Sequence, residues 1–256
     1  MPHNKPASVA NRLLAALPYK DRQSLLAGCE PVDLVYAEVL AEPGEPISYV
    51  YFPTQSFISL TTQTNGGANL EVGLVGDEGM LGIPLILGVD VSRLRASVQG
   101  PGQALRMDAA MFQREFEQSV ALQCWLKRYV YVLICQLAQA AACTHFHVVE
   151  ARLARWLLMT QDRAHSSNFH VTQESLAFML GVRRVGVTKA ATSLHNRNLI
   201  SYSRGDITIL DREGLKAVSC GCYEADKATY VRIMGKRSNS TVESKVSANS
   251  ALCIFH

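Results

Sequence analysis

The sequence predicts an α+β chain in three parts: an N-terminal antiparallel jelly-roll-like β-barrel, a long helix, and a C-terminal winged helix-turn-helix. Three observations carry this. Across residues 31–107, short runs rich in Val, Ile, Leu, Tyr and Phe alternate with turn residues, the pattern of antiparallel strands in a sandwich or barrel. From about Ala109 the apolar residues take up helical spacing. Residues 171–210, VTQESLAFMLGVRRVGVTKAATSLHNRNLISYSRGDITIL, read as two short helices, a tight turn between them, and a hairpin. The expected division is a barrel domain over 1–118, a long helix over 119–146, a winged helix-turn-helix domain over 147–235, and a disordered polar tail over 236–256.

Composition bounds the possibilities. The 256 residues suffice for one large or two modest domains, and 48% hydrophobic content supplies a core. The net charge of +3 is small, but residues 171–204 hold five Lys/Arg against one acid, Glu174. That excess points to an anionic partner at this segment. The apolar stretch 125–143 is interrupted by Lys127, Arg128, Gln136 and Gln139, and is read as too polar to span a bilayer, so no membrane partner is expected. The N-terminus is too polar for a signal peptide. Seven cysteines without a disulfide-like spacing favour reduced thiols and a cytoplasmic location.

In chain order, residues 11–28 read as short helices broken at Pro18, with Asp21 placed to cap the second. VDLVYAEVL, ISYVYF, FISLTTQ and LEVGLV follow as strands, with Asn65-Gly66-Gly67 as a hairpin turn. Gly73, Gly76, Gly79 and Gly82 recur every third residue outside any βαβ context, and are read as barrel corners rather than a dinucleotide loop. Leu122, Leu126, Tyr129 and Leu133 then fall on one helical face, continued by Ala140, with Gln136 in the seam. Two readings stand for that face: packing on the chain's own barrel, or dimerisation with the polar residue setting register. A further helix over about 148–163 turns Val149, Leu153, Trp156, Leu157 and Thr160 to one side, and AHSSNF reads as a loop. A single last helix is expected after Asp211.

Thr172 is a favourable N-cap for a helix through Leu180, with Leu176, Met179 and Leu180 buried and Gly181 at the turn. The second helix runs from about Arg183 to Asn196, with Val187, Ala190, Ala191 and Leu194 inside. Arg183, Arg184, Gly186, Thr188 and Lys189 are expected to face outward near its N-terminal end, which in helix-turn-helix proteins reaches base edges in the major groove of double-stranded DNA. Arg183, Arg184, Gly186 and Lys189 are the candidate base readers, since Arg can fork onto guanine and Lys can donate there. Thr172, Gln173, Thr188, Arg197 and Arg204 are better placed for phosphates. Arg204-Gly205-Asp206 forms the tip of the wing.

With these residues in view, the chain resembles the Crp–Fnr family of bacterial transcription regulators over roughly residues 11–235. The resemblance implies a cyclic-nucleotide-binding-like barrel, a dimerisation helix, a winged helix-turn-helix, a homodimer on a palindromic operator, and RNA polymerase as a partner. Arg184 matches the family's base-reading arginine, but Val185 stands where a glutamate usually follows, so the usual half-site sequence is not implied. Lys189 occupies a later, often basic position.

Family members that bind cyclic nucleotides use a glutamate for the ribose and an Arg-Ser pair for the phosphate. Here the matching stretch is GDEGMLGIPLILGVDVSRLRASVQG. Gly82 stands for the motif's glycine and Ile83 replaces the glutamate, while Arg93, Arg95 and Ser97 offer charge and hydroxyl at shifted spacing. An isoleucine cannot accept the ribose hydrogen bond. These five residues are the candidate effector pocket, and a small effector other than cyclic AMP, or none, is expected. No cofactor is expected.

Jelly-roll enzymes need several His or carboxylate ligands inside the barrel. All seven histidines lie outside residues 31–110, and no nucleophile constellation is present, so an enzyme is not expected. A nucleotide sensor with a protein-binding output is the alternative, but it leaves the basic helix without a purpose. Cys29 is the only cysteine before Cys124, which excludes a clustered N-terminal iron–sulfur site. On a helix Cys143 and His147 share a face, whereas Cys220 and Cys222 would point about 200° apart. No metal is therefore expected at either place, and a packing or hinge role is preferred.

Overall fold

The structure is a computed structural model that describes residues 11–63 and 69–235. The hairpin turn expected at Asn65-Gly66-Gly67 and the tail 236–256 lie outside the described residues.

Two short helices, α1 (Arg12–Ala15) and α2 (Tyr19–Ala27), open the chain. Pro18 fixes the break between them, occupying the N-cap of α2 without a capping side chain. Asp21 is not that cap: it sits in the first turn, and its carboxylate accepts a hydrogen bond from the Ser119 hydroxyl.

Among the described residues, seven strands then make two antiparallel sheets. β1 (Glu30–Leu34), β7 (Gly102–Asp108) and β3 (Tyr49–Pro53) form one, in the order β1-β7-β3. β2 (Val39–Ala41), β6 (Arg95–Gly100), β4 (Phe57–Gln63) and β5 (Asn69–Val75) form the other, in that order. The run VDLVYAEVL is thus two strands in different sheets, parted by a turn in which Ala37 takes a positive φ of 65°. Leu34, Tyr51 and Ala104 of the first sheet pack with Ile58, Val75, Ala96 and Val98 of the second, as the period-2 alternation requires.

Of the four regularly spaced glycines, Gly73 lies within β5 beside a register shift rather than at a corner. Gly79 is required by a close approach, because a Cβ there would lie 1.9 Å from Tyr129 Oη. Gly82 adopts φ 111° and caps α3 (Ile83–Ile86).

After α4 (Ala109–Gln118), Ser119 caps α5 (Val120–Phe146), a helix of 27 residues. Its length and composition alone would let it cross a bilayer, against the sequence expectation. Packing accounts for one face of it. Leu122, Leu126, Tyr129 and Val132 are buried with α1, α3 and α4, and the last helix among the described residues lies along it. The stripe Leu122–Leu126–Tyr129–Leu133, one reading of which was a dimer face, therefore turns into the chain's own core. Gln136 and Ala140 are half-buried on neighbouring positions. The exposed side of α5 carries Tyr131, Ile134, Ala138, Ala141 and His145, at steps of three and four.

The C-terminal domain comprises α6 (Val149–Ala164), β8 (Asn168–His170), α7 (Gln173–Leu180), α8 (Arg184–Asn196), β9 (Ile200–Ser203), β10 (Asp206–Ile209), α9 (Arg212–Val218) and α10 (Cys222–Met234). Its core joins Leu153, Trp156 and Leu157 of α6 to the inner faces of α7 and α8 and to Ile200, Ile207 and Ile209 of the wing. The expected AHSSNF loop contributes a strand, since β8 pairs with β10 to give the sheet order β8-β10-β9. Three residues are too few to show a period. The single last helix is two, because the chain breaks at Ser219-Cys220-Gly221. Asp211 caps the first of them, accepting from Gly214 N–H at 2.9 Å.

Two domains meet along one chain. Arg163 Nη2 on α6 is 2.6 Å from Glu78 Oε1, and Tyr230 of α10 donates to the Glu78 carbonyl at 2.8 Å. Met234, at the end of α10, is buried in the same cluster as Leu126 and Tyr129.

Candidate nucleic-acid interface

The interface is built from α7, α8 and the wing. Thr172 takes extended backbone angles and its hydroxyl accepts from Ser175 N–H at 3.1 Å, starting α7. Gly181 ends α7 at φ 62°, a left-handed conformation that turns the chain within two residues of the next helix. α8 follows with Arg183 as its N-cap. Val187, Ala190, Ala191 and Leu194 are buried beneath it, fixing which side of α8 faces solvent.

That side presents Arg183, Arg184, Val185 and Lys189, all exposed. None of the three cations is in an ion pair among the described residues. No acidic residue lies on α8 either, so the positive charge is not neutralised locally. The N-terminal end of α8 also carries the positive pole of the helix dipole, which reinforces attraction for an anion.

The remaining candidates divide. Gly186 does not face outward: it is half-buried, and a Cβ there would meet Val149 Cγ2 of α6 at 3.9 Å. The α8 backbone thus sits close to the start of α6. The Thr188 hydroxyl lies 2.8 Å from Gln173 Oε1 and 3.1 Å from the Arg184 carbonyl, so it joins α8 to the first turn of α7. Arg197 is engaged by Glu150 Oε1 at 3.2 Å and reaches back to α6, although half of its side chain remains exposed. Arg204 is exposed at the tip of the wing with φ 52°, next to Gly205. His170 Nδ1 is 2.8 Å from Asp206 Oδ1 and braces the base of that tip.

The five effector candidates are not brought together. Gly82, Ile83 and Arg93 line a cavity of about 400 Å³ between the second sheet and α5. Its other walls include Leu60, Val72, Val75, Met80, Val130 and Leu133, so it is overwhelmingly apolar. Arg95 instead points to Glu42, with Nε 3.4 Å from Oε1. Ser97 lies mid-strand, opposite Val39 and Ser59, and is not part of the lining. The sequence pointed to three of its lining residues but not to the cavity as a whole, because its walls come from separate segments.

Residues 151–218 match the Crp-like helix-turn-helix domain family. No curated protein matches the chain. Among solved structures, a Crp/Fnr-family transcriptional regulator from Eubacterium rectale superposes with a TM-score of 0.64 at 14% identity, covering 80% of this chain and 96% of its own. FixK2 from Bradyrhizobium japonicum also gives 0.64 at 14% identity, covering 75% and 98%. A Crp/Fnr-family regulator from Thermus thermophilus, TTHA1359, gives 0.59 at 19% identity, covering 74% and 98%.

Proposed function

We propose that this chain, a Crp/Fnr-type fold carrying a Crp-like helix-turn-helix DNA-binding domain, is a cytoplasmic sequence-specific transcription regulator that acts as a homodimer. The observation that carries the reading is the unneutralised basic cluster Arg183, Arg184 and Lys189 at the N-terminal end of an exposed helix. In that position Arg184 and Arg183 would fork onto guanine edges and Lys189 would donate to a neighbouring base. Gln173, at the start of α7, and Arg204, on the wing, would take the flanking phosphates and set register. Thr172 and Thr188 serve mainly to hold the α7–α8 geometry. Val185, exposed between the readers, offers an apolar contact to a thymine methyl where a carboxylate would otherwise accept from cytosine.

The homodimer would close through the outward side of α5, along Tyr131, Ile134, Ala138, Ala141 and His145. Small residues in the second half of that stripe let two helices approach closely, and paired helices then place two recognition helices on half-sites about 34 Å apart. RNA polymerase is the expected further partner, and no enzymatic activity is assigned. An effector that fits the apolar cavity against α5 would shift the population of domain arrangements only if it binds one of them better.

Selection of bound duplexes from a random pool tests the reading. Enrichment of a two-fold symmetric motif supports it. Binding that is salt-sensitive but shows no sequence enrichment would refute it.

A further inference from the structure

Three cysteines and one histidine from two separate segments of the chain converge at the elbow between α5 and α6. Cys143 lies in the last turn of α5, and His147 is that helix's C-cap, with extended angles of φ −110° and ψ 143°. Cys220 lies in the break between α9 and α10, and Cys222 is the first residue of α10. The four potential ligand atoms all lie within 4.8 Å of one another. Cys143 Sγ and Cys220 Sγ are 3.4 Å apart, and Cys222 Sγ is 3.5 Å from His147 Nδ1. All three cysteines are buried free thiols.

We propose that Cys143, His147, Cys220 and Cys222 form a tetrahedral site for a single zinc ion. With Zn–S near 2.3 Å and Zn–N near 2.0 Å, tetrahedral ligands stand roughly 3.8 Å (S to S) and roughly 3.5 Å (S to N) apart, close to the spacing found. All four ligand atoms lie within 4.8 Å of one another, too close to surround an iron–sulfur core, whose ligands must reach irons on opposite sides of it. Three thiolates and a neutral imidazole leave one net negative charge around Zn²⁺, and Arg155 and Arg152 provide positive charge beside Cys143 and Cys220. Gln139 donates from Nε2 to Cys222 Sγ at 3.0 Å, the kind of outer hydrogen bond that orients a thiolate ligand. Loading releases the thiol protons to solvent and involves no change of oxidation state.

The ion would tie the α9–α10 corner to the point where the DNA-binding domain leaves the long helix. This inference is independent of which DNA sequence the chain reads.

Full-length protein purified without chelator under reducing conditions, and analysed for bound metals and acid-labile sulfide, tests it directly. The expected result is one zinc per chain. Replacing zinc with Co²⁺ should then give intense visible bands of tetrahedral geometry and near-ultraviolet thiolate-to-cobalt charge transfer. Cys220→Ser and His147→Ala should lose most of the metal, while Cys29→Ser, remote from the cluster, should retain it. Gln139→Ala removes no ligand and serves if the ligand variants do not fold; it should weaken zinc affinity about 10-fold or more in competition with a chromogenic chelator. Absence of zinc and of any Co²⁺ spectrum in folded protein would overturn the proposal. So would iron with sulfide, or a Cys143–Cys220 disulfide in protein isolated from the cytoplasm.

Discussion

Trp156 of α6 donates its indole N–H to Glu71 Oε1 of β5 at 2.7 Å, a hydrogen bond that joins the helix-turn-helix domain to the four-stranded sheet. Ser59 donates to the other carboxylate oxygen at 2.5 Å. Burial raises the Glu71 carboxyl to about 7, against the opposing pull of these two hydrogen bonds and of Arg163 and Arg155. A carboxyl raised in the folded state binds its proton more tightly there than in the unfolded chain. Its contribution is therefore fully present below about pH 4 and is lost as pH rises through about 7. Thermal melts between pH 5 and 8 should show stability falling with pH by a few degrees more in the native chain than in Glu71→Gln, which keeps an acceptor but cannot ionise. Identical pH profiles for the two would contradict this account.

The cations of α8 and of the wing should separate by their effect on DNA binding. Arg184→Ala should cost about 1–3 kcal/mol at the selected site and relax one base preference. Arg204→Ala should weaken all sequences alike and reduce the slope of log affinity against log salt by about 1. Fluorescence anisotropy at several salt concentrations, on cognate and scrambled duplexes, distinguishes the two patterns.

The two faces of α5 should fail in different ways. Leu126 is fully buried, so Leu126→Ala should lower folding stability by about 2–5 kcal/mol. Ile134 is 56% exposed, so Ile134→Glu should leave the monomer folded and shift the mass seen in light scattering toward a single chain. A dimer that survives Ile134→Glu and Tyr131→Glu together would place the interface elsewhere.

Cyclic AMP should leave the melting temperature unchanged at millimolar concentration. A ligand at 100 times its dissociation constant would add about 2.7 kcal/mol, a shift that is easily read in a melt. The reason for expecting none is local: Ile83 stands at the cavity wall without an acceptor, Arg95 is held by Glu42, and Ser97 is not part of the cavity lining.

Much of the DNA-binding domain was legible in the sequence because its signals are local. A Thr cap, a glycine that must turn left-handed, and apolar steps of three and four each act within a few residues, and together they specify α7, α8 and the inner face of the pair. The wing was legible for the same reason, whereas β8, too short to carry a period, and the break between α9 and α10 escaped. The sequence by itself therefore determined the α+β order of parts and the basic end of α8. Tertiary structure alone decided which stripe of α5 is covered, because α10 returns along it from some 80 residues away. It also decided the fate of the four thiol and imidazole groups. A continuous helix through 220–222 would have sent two of them to opposite sides, whereas the break at Gly221 turns both toward Cys143 and His147. Periodicity describes a face within one element; which elements meet there is set by long-range packing, and the site at the elbow exists only through that packing.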